Sequence, residues 1–131
     1  KKLGVNGSVR FVGRLSDSQL QSFLASSDIY VSTSLSDAGL ASSTSEAMAS
    51  GLPVIVTEFG DNGKWVKELE TGMLFSCSDY KSLAKKIFFL LKNRQLAIQI
   101  GNNGRRFIEE NNNYYSEMKK VESLYRCILG I

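Results

Sequence analysis

The sequence has no histidine, and its 131 residues include only two cysteines and one proline. Cys77 and Cys127 are far apart and fall in different predicted elements, so this chain alone does not supply a conventional zinc site. We interpret them as reduced thiols of a cytoplasmic protein. No apolar run approaches the roughly 18 residues of a membrane span. Residues 1–4 also lack the apolar core of a secretory signal.

The positive charge is small and dispersed. The formal net charge is +3, and basic pairs fall in three separate predicted helices, at 85–86, 105–106 and 119–120. Such pairs usually mark solvated helix faces, whereas a nucleic-acid interface needs one basic stripe interleaved with aromatic residues. We therefore expect no nucleic-acid partner.

Strands alternate with helices along the chain, which predicts an α/β fold with a parallel sheet and right-handed crossovers. Strands are predicted at 9–12, 28–31, 54–56 and 73–75. Helices are predicted over about 17–25, from about 44, after 79, after 94 and over 114–129. At this length, with 43% hydrophobic residues, the chain forms one globular domain at most.

The most informative stretch is 40–57, which reads L-A-S-S-T-S-E-A-M-A-S-G-L-P-V-I-V-T. Ser43 and Glu46 have the spacing of a capping box, which predicts a helix starting near Thr44. Gly51 stands where a left-handed helix end is expected, and proline two residues later prevents continuation. The β-branched run at 54–56 is typical of a strand buried on both faces.

The pattern S-x-x-E-A-M-A-x-G-x-P-V-I resembles the donor-site signature of retaining glycosyltransferases with the GT-B fold. That large family includes sucrose, trehalose and lipopolysaccharide glycosyltransferases. Three flanking segments resemble neighbouring parts of the same domain: D-I-Y-V-S-T-S at 28–34, T-E-F-G-D-N-G-K-W-V at 57–66, and G-M-L-F followed by D-x-x-x-L-A-x-x-I at 72–87. The resemblance extends from about Ser8 to about Asn93.

The resemblance implies the later part of a donor-nucleotide-binding domain. Residues 1–131 would form one partial domain, with 94–131 as a C-terminal helical extension. In the family, two more strands precede the counterpart of 9–12 and lie between it and the next strand. This chain has no room for them, nor for the acceptor-binding N-terminal domain. We expect about four short strands of a Rossmann-like doubly wound parallel sheet, with flanking and C-terminal helices. Its exposed edges would favour self-association.

The resemblance also implies a role for Glu46. It matches the second glutamate of the family's signature pair, which accepts hydrogen bonds from the ribose hydroxyls of the donor nucleotide. The alternative is the capping box, in which Glu46 only satisfies a backbone N–H. The first glutamate of the pair would fall at Ala38, where this sequence departs from the pattern. Asp37 is a substitute for contact with the donor sugar, or part of a plain turn.

Several neighbours are implied as donor contacts. The backbone of Gly39, Leu40 and Ala41 would face the donor phosphate and sugar. Ser42 and Ser43 would add the anion-attracting N-terminus of a helix, although ordinary N-capping explains hydroxyl residues there equally well.

Three more residues are candidates for donor contact, each with an alternative role. Arg14 resembles a position near the base or phosphates, or is a solvated loop residue. Gly60-Asp61-Asn62 resembles the family's Gly-rich loop near the donor sugar, and Lys64 after it faces either phosphate or water. Trp65 is interpreted as a packing anchor rather than a platform on which a base stacks.

The implied function is transfer of a sugar from a nucleotide-diphosphate sugar, with retention, to a saccharide or lipid-linked acceptor. We assign no catalytic residue, because the reaction would rest on orientation and electrostatics. No metal and no separate cofactor are expected. The protein would be cytoplasmic, with peripheral membrane contact open. One alternative is a non-catalytic nucleotide- or sugar-binding module. Another, a flavodoxin-like or receiver-like domain, predicts acidic residues at 9–14, where none occurs.

Overall fold

The computed structural model describes residues 4–5, 7–35 and 39–130. Three strands and six helices occur in these ranges. The strands are β1 (Tyr30–Ser32), β2 (Val54–Thr57) and β3 (Met73–Phe75). The helices are α1 (Asp17–Ala25), α2 (Ser42–Ala49), α3 (Asn62–Trp65), α4 (Tyr80–Lys92), α5 (Arg94–Asn111) and α6 (Tyr114–Leu129).

The strands form one parallel sheet in the order β1-β2-β3. Val31 pairs with Ile55, and Ile55 pairs in turn with Met73. All four residues of the central strand β2 are buried. This confirms the predicted α/β class, and a β-branched run suits a strand that is covered on both sides.

Helices cover both faces of the sheet, so the doubly wound arrangement is confirmed. Val54 and Val56 pack on one face, in a cluster with Leu24 of α1 and Met48 of α2. Ile55 points the other way, into a second cluster that includes side chains of α4 and α5: Leu90, Ala97 and Ile100. Alternate residues of one strand therefore supply two separate cores.

Helix α5 lies against the segments that lead into β2 and β3. A Cβ atom at Gly101 would stand 2.0 Å from the carbonyl oxygen of Gly51, and one at Gly104 would stand 3.0 Å from that of Thr71. Only a hydrogen atom fits at Gly101, whereas a Cβ atom at Gly104 would make a contact tighter than usual. Glycine, which is costly inside a helix, here allows two backbones to touch.

The prediction of a strand at 9–12 was wrong. These residues have no strand assignment, and the side chain of Phe11 is 95% exposed. A strand needs a neighbour for its backbone hydrogen bonds. Within the described residues β1 pairs only with β2, so residues 9–12 have no adjacent strand. The sheet accordingly has three strands rather than about four.

The capping box predicted at Ser43 and Glu46 is also absent. Helix α2 begins two residues before the predicted start, with Ala41 as its N-cap residue and no side-chain cap. Ser43 is thus already helical and cannot act as the cap. The same spacing does form a capping box in α1, where Ser16 and Gln19 exchange hydrogen bonds.

Helix α6 begins and ends as the sequence predicts. Asn113 caps it by accepting from the backbone N–H groups of Tyr115 and Ser116, and Gly130 ends it in a left-handed conformation. No residue of α6 is buried. Its apolar side chains therefore form an exposed face, which comprises Tyr114, Met118, Val121, Leu124, Tyr125, Ile128 and Leu129.

Candidate functional site

The loops that follow the three strands meet at the carboxyl edge of the sheet. The hydroxyl of Thr57, the last residue of β2, donates to the carbonyl of Ser34 after β1 at 2.5 Å. The backbone N–H of Glu58 donates to the carbonyl of Phe75 at the end of β3 at 2.8 Å. Ligands of open parallel sheets bind at this edge, so the three loops define the candidate site.

The N-terminus of α2 opens onto the same region. Thr44 and Ser45 donate their backbone N–H groups to the carbonyl of Ala41. None of the described residues accepts a hydrogen bond from the backbone N–H groups of Ser42 and Ser43. Free N–H groups and the helix dipole together attract anions, so this terminus suits a phosphate.

The hydroxyl of Ser43 is held by a residue of the sheet. The phenol of Tyr30, in β1, donates to it over 2.9 Å. This bond ties the first turn of α2 to the strand that precedes the loop. Sequence reasoning missed Tyr30, because nothing in a Tyr-Val-Ser strand indicates a partner thirteen residues away.

Glu46 lies in a cleft between α1 and α2 of about 340 Å³. The cleft is lined by Asp17, Leu20, Gln21 and Leu24 of α1, with Glu46, Ala49 and Ser50 on the other side. The carboxylate of Glu46 accepts no hydrogen bond from the described residues and forms no ion pair with them. With the capping box gone, this exposed carboxylate is available to a ligand. Its two oxygens can accept from two hydroxyls at once.

Arg14 lies in the loop before the N-terminus of α1. It is exposed, follows Gly13 with its φ of +65°, and comes three residues before Asp17 of the cleft. No described residue pairs with its guanidinium. The structure thus places Arg14 at the loop expected from the sequence, without fixing a contact.

The Gly-rich loop after β2 is anchored by a buried amide. Asn62 is 2% exposed, and its Nδ2 donates to the carbonyl of Thr57 at 3.0 Å. Lys64 forms an exposed ion pair with Asp61 at 2.9 Å, and its side chain is 73% exposed, so whether it faces phosphate or water stays a prediction. Trp65 packs edge-to-face on Phe107 of α5, with ring centroids 6.3 Å apart, in agreement with a packing role.

The remaining predicted donor contacts lie around the loop after β1. Gly39, Leu40 and Ala41 are half-buried, and Leu40 packs against the core cluster of α1 and α2. Asp37 and Ala38 lie outside the described residues, so the proposed sugar contact of Asp37 stays a prediction.

A further cavity, of about 240 Å³, lies away from this site, among the segments before β1 and β2 and the helices α4 and α5. Within the described ranges, no three acidic or cysteine side chains come together as a metal site. None of the helices in the described part has both the length and the apolar composition to cross a bilayer.

The chain matches the model of a known protein family. The model of the family described as glycosyl transferases group 1 matches residues 1–107. An uncharacterised glycosyltransferase of Methanocaldococcus jannaschii is 25% identical over 126 residues, which is 96% of this chain and 32% of that protein.

Solved structures agree in fold. Sucrose-phosphate synthase from Thermosynechococcus elongatus superposes with a TM-score of 0.89 and 28% identity, over 96% of this chain and 31% of that one. The HepE protein of Anabaena, solved in complex with UDP-glucose, superposes with a TM-score of 0.86 and 22% identity, over 95% and 34%. The chain therefore spans about a third of the length of these relatives.

Proposed function

The chain belongs to the glycosyl transferases group 1 family, and we propose that its cleft between α1 and α2, together with the N-terminus of α2, binds the nucleotide diphosphate of a sugar donor. The observation that carries this proposal is the position of Glu46. Its carboxylate lines the cleft and has no partner among the described residues, and it lies one helical turn from the N–H groups of Ser42 and Ser43, for which the described residues likewise supply no acceptor. An acceptor for a ribose diol and donors for a phosphate thus occur on one short helix.

The other donor contacts follow from the loops. The diphosphate would lie at Gly39 to Ser43, and Arg14 would approach the base or phosphates from the loop before α1. Asp37 and the Gly-rich loop would contact the sugar. Neither a metal nor a separate cofactor is part of the proposal, since the N-terminus of α2 and Arg14 supply positive character for the leaving diphosphate.

We extend the proposal to the reaction of the whole protein. It would transfer the sugar with retention of configuration to a saccharide or lipid-linked acceptor. This chain would hold the leaving group and the sugar in place, so its contribution is orientation and charge stabilisation. The acceptor would bind to polypeptide outside this chain. The family match does not favour the alternative of a non-catalytic nucleotide- or sugar-binding module.

Two surfaces support the proposed partners. The exposed apolar face of α6 is larger than is usual for a helix in solvent. We expect it to be covered by the rest of the protein or by a membrane surface. We favour polypeptide, because acids and bases of α6 pair with each other, as in Lys120 with Glu117 and Arg126 with Glu122. The edge of β1 is a second place where strands could add or copies of the chain associate.

Titration calorimetry with UDP, GDP and ADP tests the site. UDP is the first choice, because HepE, which shares the fold, was solved with UDP-glucose. We expect one nucleotide to bind, and Glu46→Gln to weaken it by at least about tenfold, the usual cost of losing hydrogen bonds to a charged group. The melting temperature should not change, since the carboxylate of Glu46 has no partner among the described residues.

Glu110→Gln is the matched control. Glu110 is an exposed glutamate of α5 that forms no ion pair with the described residues, and its substitution should leave nucleotide affinity as it is. If Glu46→Gln binds the nucleotide as tightly as the wild type, Glu46 does not contact the ribose. If no nucleotide binds the chain or the full-length protein that contains it, the donor-site proposal is wrong.

A further inference from the structure

Thr57 connects two loops through two different polar groups. It is the last residue of β2, and its side chain is 1% exposed. Its hydroxyl donates to the carbonyl of Ser34 in the loop after β1, at 2.5 Å. Its own carbonyl accepts from Nδ2 of Asn62, the last residue of the Gly-rich loop, at 3.0 Å.

The residue type at position 57 is informative, because the rest of the strand is apolar. Residue 57 ends a strand whose other members are all valines and isoleucine. Valine has the same shape as threonine and costs less to bury, because a buried hydroxyl requires a partner. Threonine here meets that requirement through the Ser34 carbonyl, so the hydroxyl serves the loop rather than the core.

From this geometry we infer that Thr57 is a positioning residue for the donor site, holding the loop after β1 in register with the Gly-rich loop after β2. The inference rests on the proposed function, in which the first loop leads to the diphosphate and the second borders the sugar. A nucleotide sugar would touch both loops, whereas a nucleotide without sugar would touch only the first. Errors of about 1 Å between the reacting groups are costly in rate.

The test compares Thr57→Val with Thr57→Ser in the chain as it stands. Valine preserves the volume and removes the hydroxyl, while serine retains the hydroxyl. Thr71→Val is the matched control. Thr71 is also buried, accepts from the N–H of Lys67 at 2.9 Å and donates to the carbonyl of Trp65 at 3.2 Å, but it lies before β3, at the opposite edge of the sheet.

The first readout needs no ligand. Amide hydrogen exchange at residues 33–35 should accelerate about fivefold or more in Thr57→Val, because the bond from the hydroxyl to the Ser34 carbonyl is lost, whereas the bond from Asn62 to the backbone carbonyl of Thr57 remains. The rate should stay near wild type in Thr57→Ser and in Thr71→Val. If Thr57→Val leaves exchange at residues 33–35 unchanged, Thr57 does not hold the loop after β1 in place and the inference is overturned.

The second readout compares two ligands by calorimetry, UDP and UDP-glucose. Thr57→Val should lower the affinity for UDP-glucose about fivefold relative to that for UDP, and Thr57→Ser should restore the wild-type ratio. An equal loss for both ligands would mean a merely structural role and would overturn the inference. If wild type binds neither ligand, the proposed function fails for UDP donors, and the exchange rates alone decide whether Thr57 couples the loops.

Discussion

The phenol of Tyr30 donates a hydrogen bond to the hydroxyl of Ser43 over 2.9 Å. One residue belongs to the strand β1 and the other to the first turn of α2, so the bond fixes the start of α2 against the sheet. Glu46 projects from the next turn of the same helix. The position of the proposed ribose ligand therefore depends on a contact between a strand and a helix, not on a local helix cap.

Removing this bond should cost a modest, measurable amount of stability. We expect Tyr30→Phe to lower the free energy of unfolding by about 1 kcal/mol, the net value of one hydrogen bond. Urea unfolding measures it, with Tyr80→Phe as the control, since Tyr80 is exposed and its hydroxyl has no partner among the described residues. Adding Ser43→Ala to Tyr30→Phe should cost little more. Fully additive losses would show that the two hydroxyls do not interact.

Gly101→Ala should destabilise the protein although alanine is the better helix former. The new Cβ would lie 2.0 Å from the carbonyl oxygen of Gly51, and a backbone atom cannot turn aside as a side chain can. We expect a net loss of about 1–3 kcal/mol, as for other overpacked sites. Thermal unfolding checks this against Gly63→Ala, whose Cβ would have only an ordinary contact at 3.9 Å. Equal melting temperatures for the two variants would contradict the close packing of α5 on this loop.

Substitution of Gly51 measures a loss of stability that is purely conformational. Its φ is +77°, and an added Cβ would meet no atom within 4 Å. Gly51→Ala should thus lose about 1–2 kcal/mol through the left-handed backbone alone, and Gly51→Asn should lose less, because asparagine enters that region more readily. Chemical denaturation of both variants gives the order. Alanine as stable as glycine would mean that the turn is not left-handed in solution.

Helix α6 should be dispensable for the stability of the rest of the chain. A chain ending at Asn112 removes a helix with no buried residue, and its free energy of unfolding should stay within about 0.5 kcal/mol of the full chain. A chain ending at Asn93 is the contrast, because it also loses α5 with the fully buried Ile100, and it should not fold. Circular dichroism and urea unfolding distinguish the cases. A large loss on removing α6 alone would reveal packing that the structure does not show.

Much of the fold could be predicted because its signals are local. The run of β-branched residues at β2 reflects burial on both faces, and Asn113 and Gly130 delimit α6 by capping and by a left-handed end. The motif around Glu46 indicated the family, which the comparison confirmed. It also located the carboxyl edge of the sheet, where the loops after β1, β2 and β3 do meet.

The errors arose where a pattern needs a partner elsewhere in the chain. Residues 9–12 have the composition of a strand, but a strand exists only beside another strand. Ser16 and Ser43 have the same capping-box spacing, yet only Ser16 forms the box, since α2 starts earlier and Tyr30 takes the hydroxyl of Ser43.

By itself, the sequence determined the class of fold, the order of its elements and the glutamate to examine, since hydrophobic period, caps and motif spacing are properties of neighbouring residues. The tertiary structure decided what those residues do. It left the carboxylate of Glu46 without a partner among the described residues, in the cleft beside α1. It also made glycine necessary at position 101, where the backbone of Gly51 is close, and it linked two loops through Thr57. Each of these depends on a distance across the fold, and no spacing along the chain encodes it.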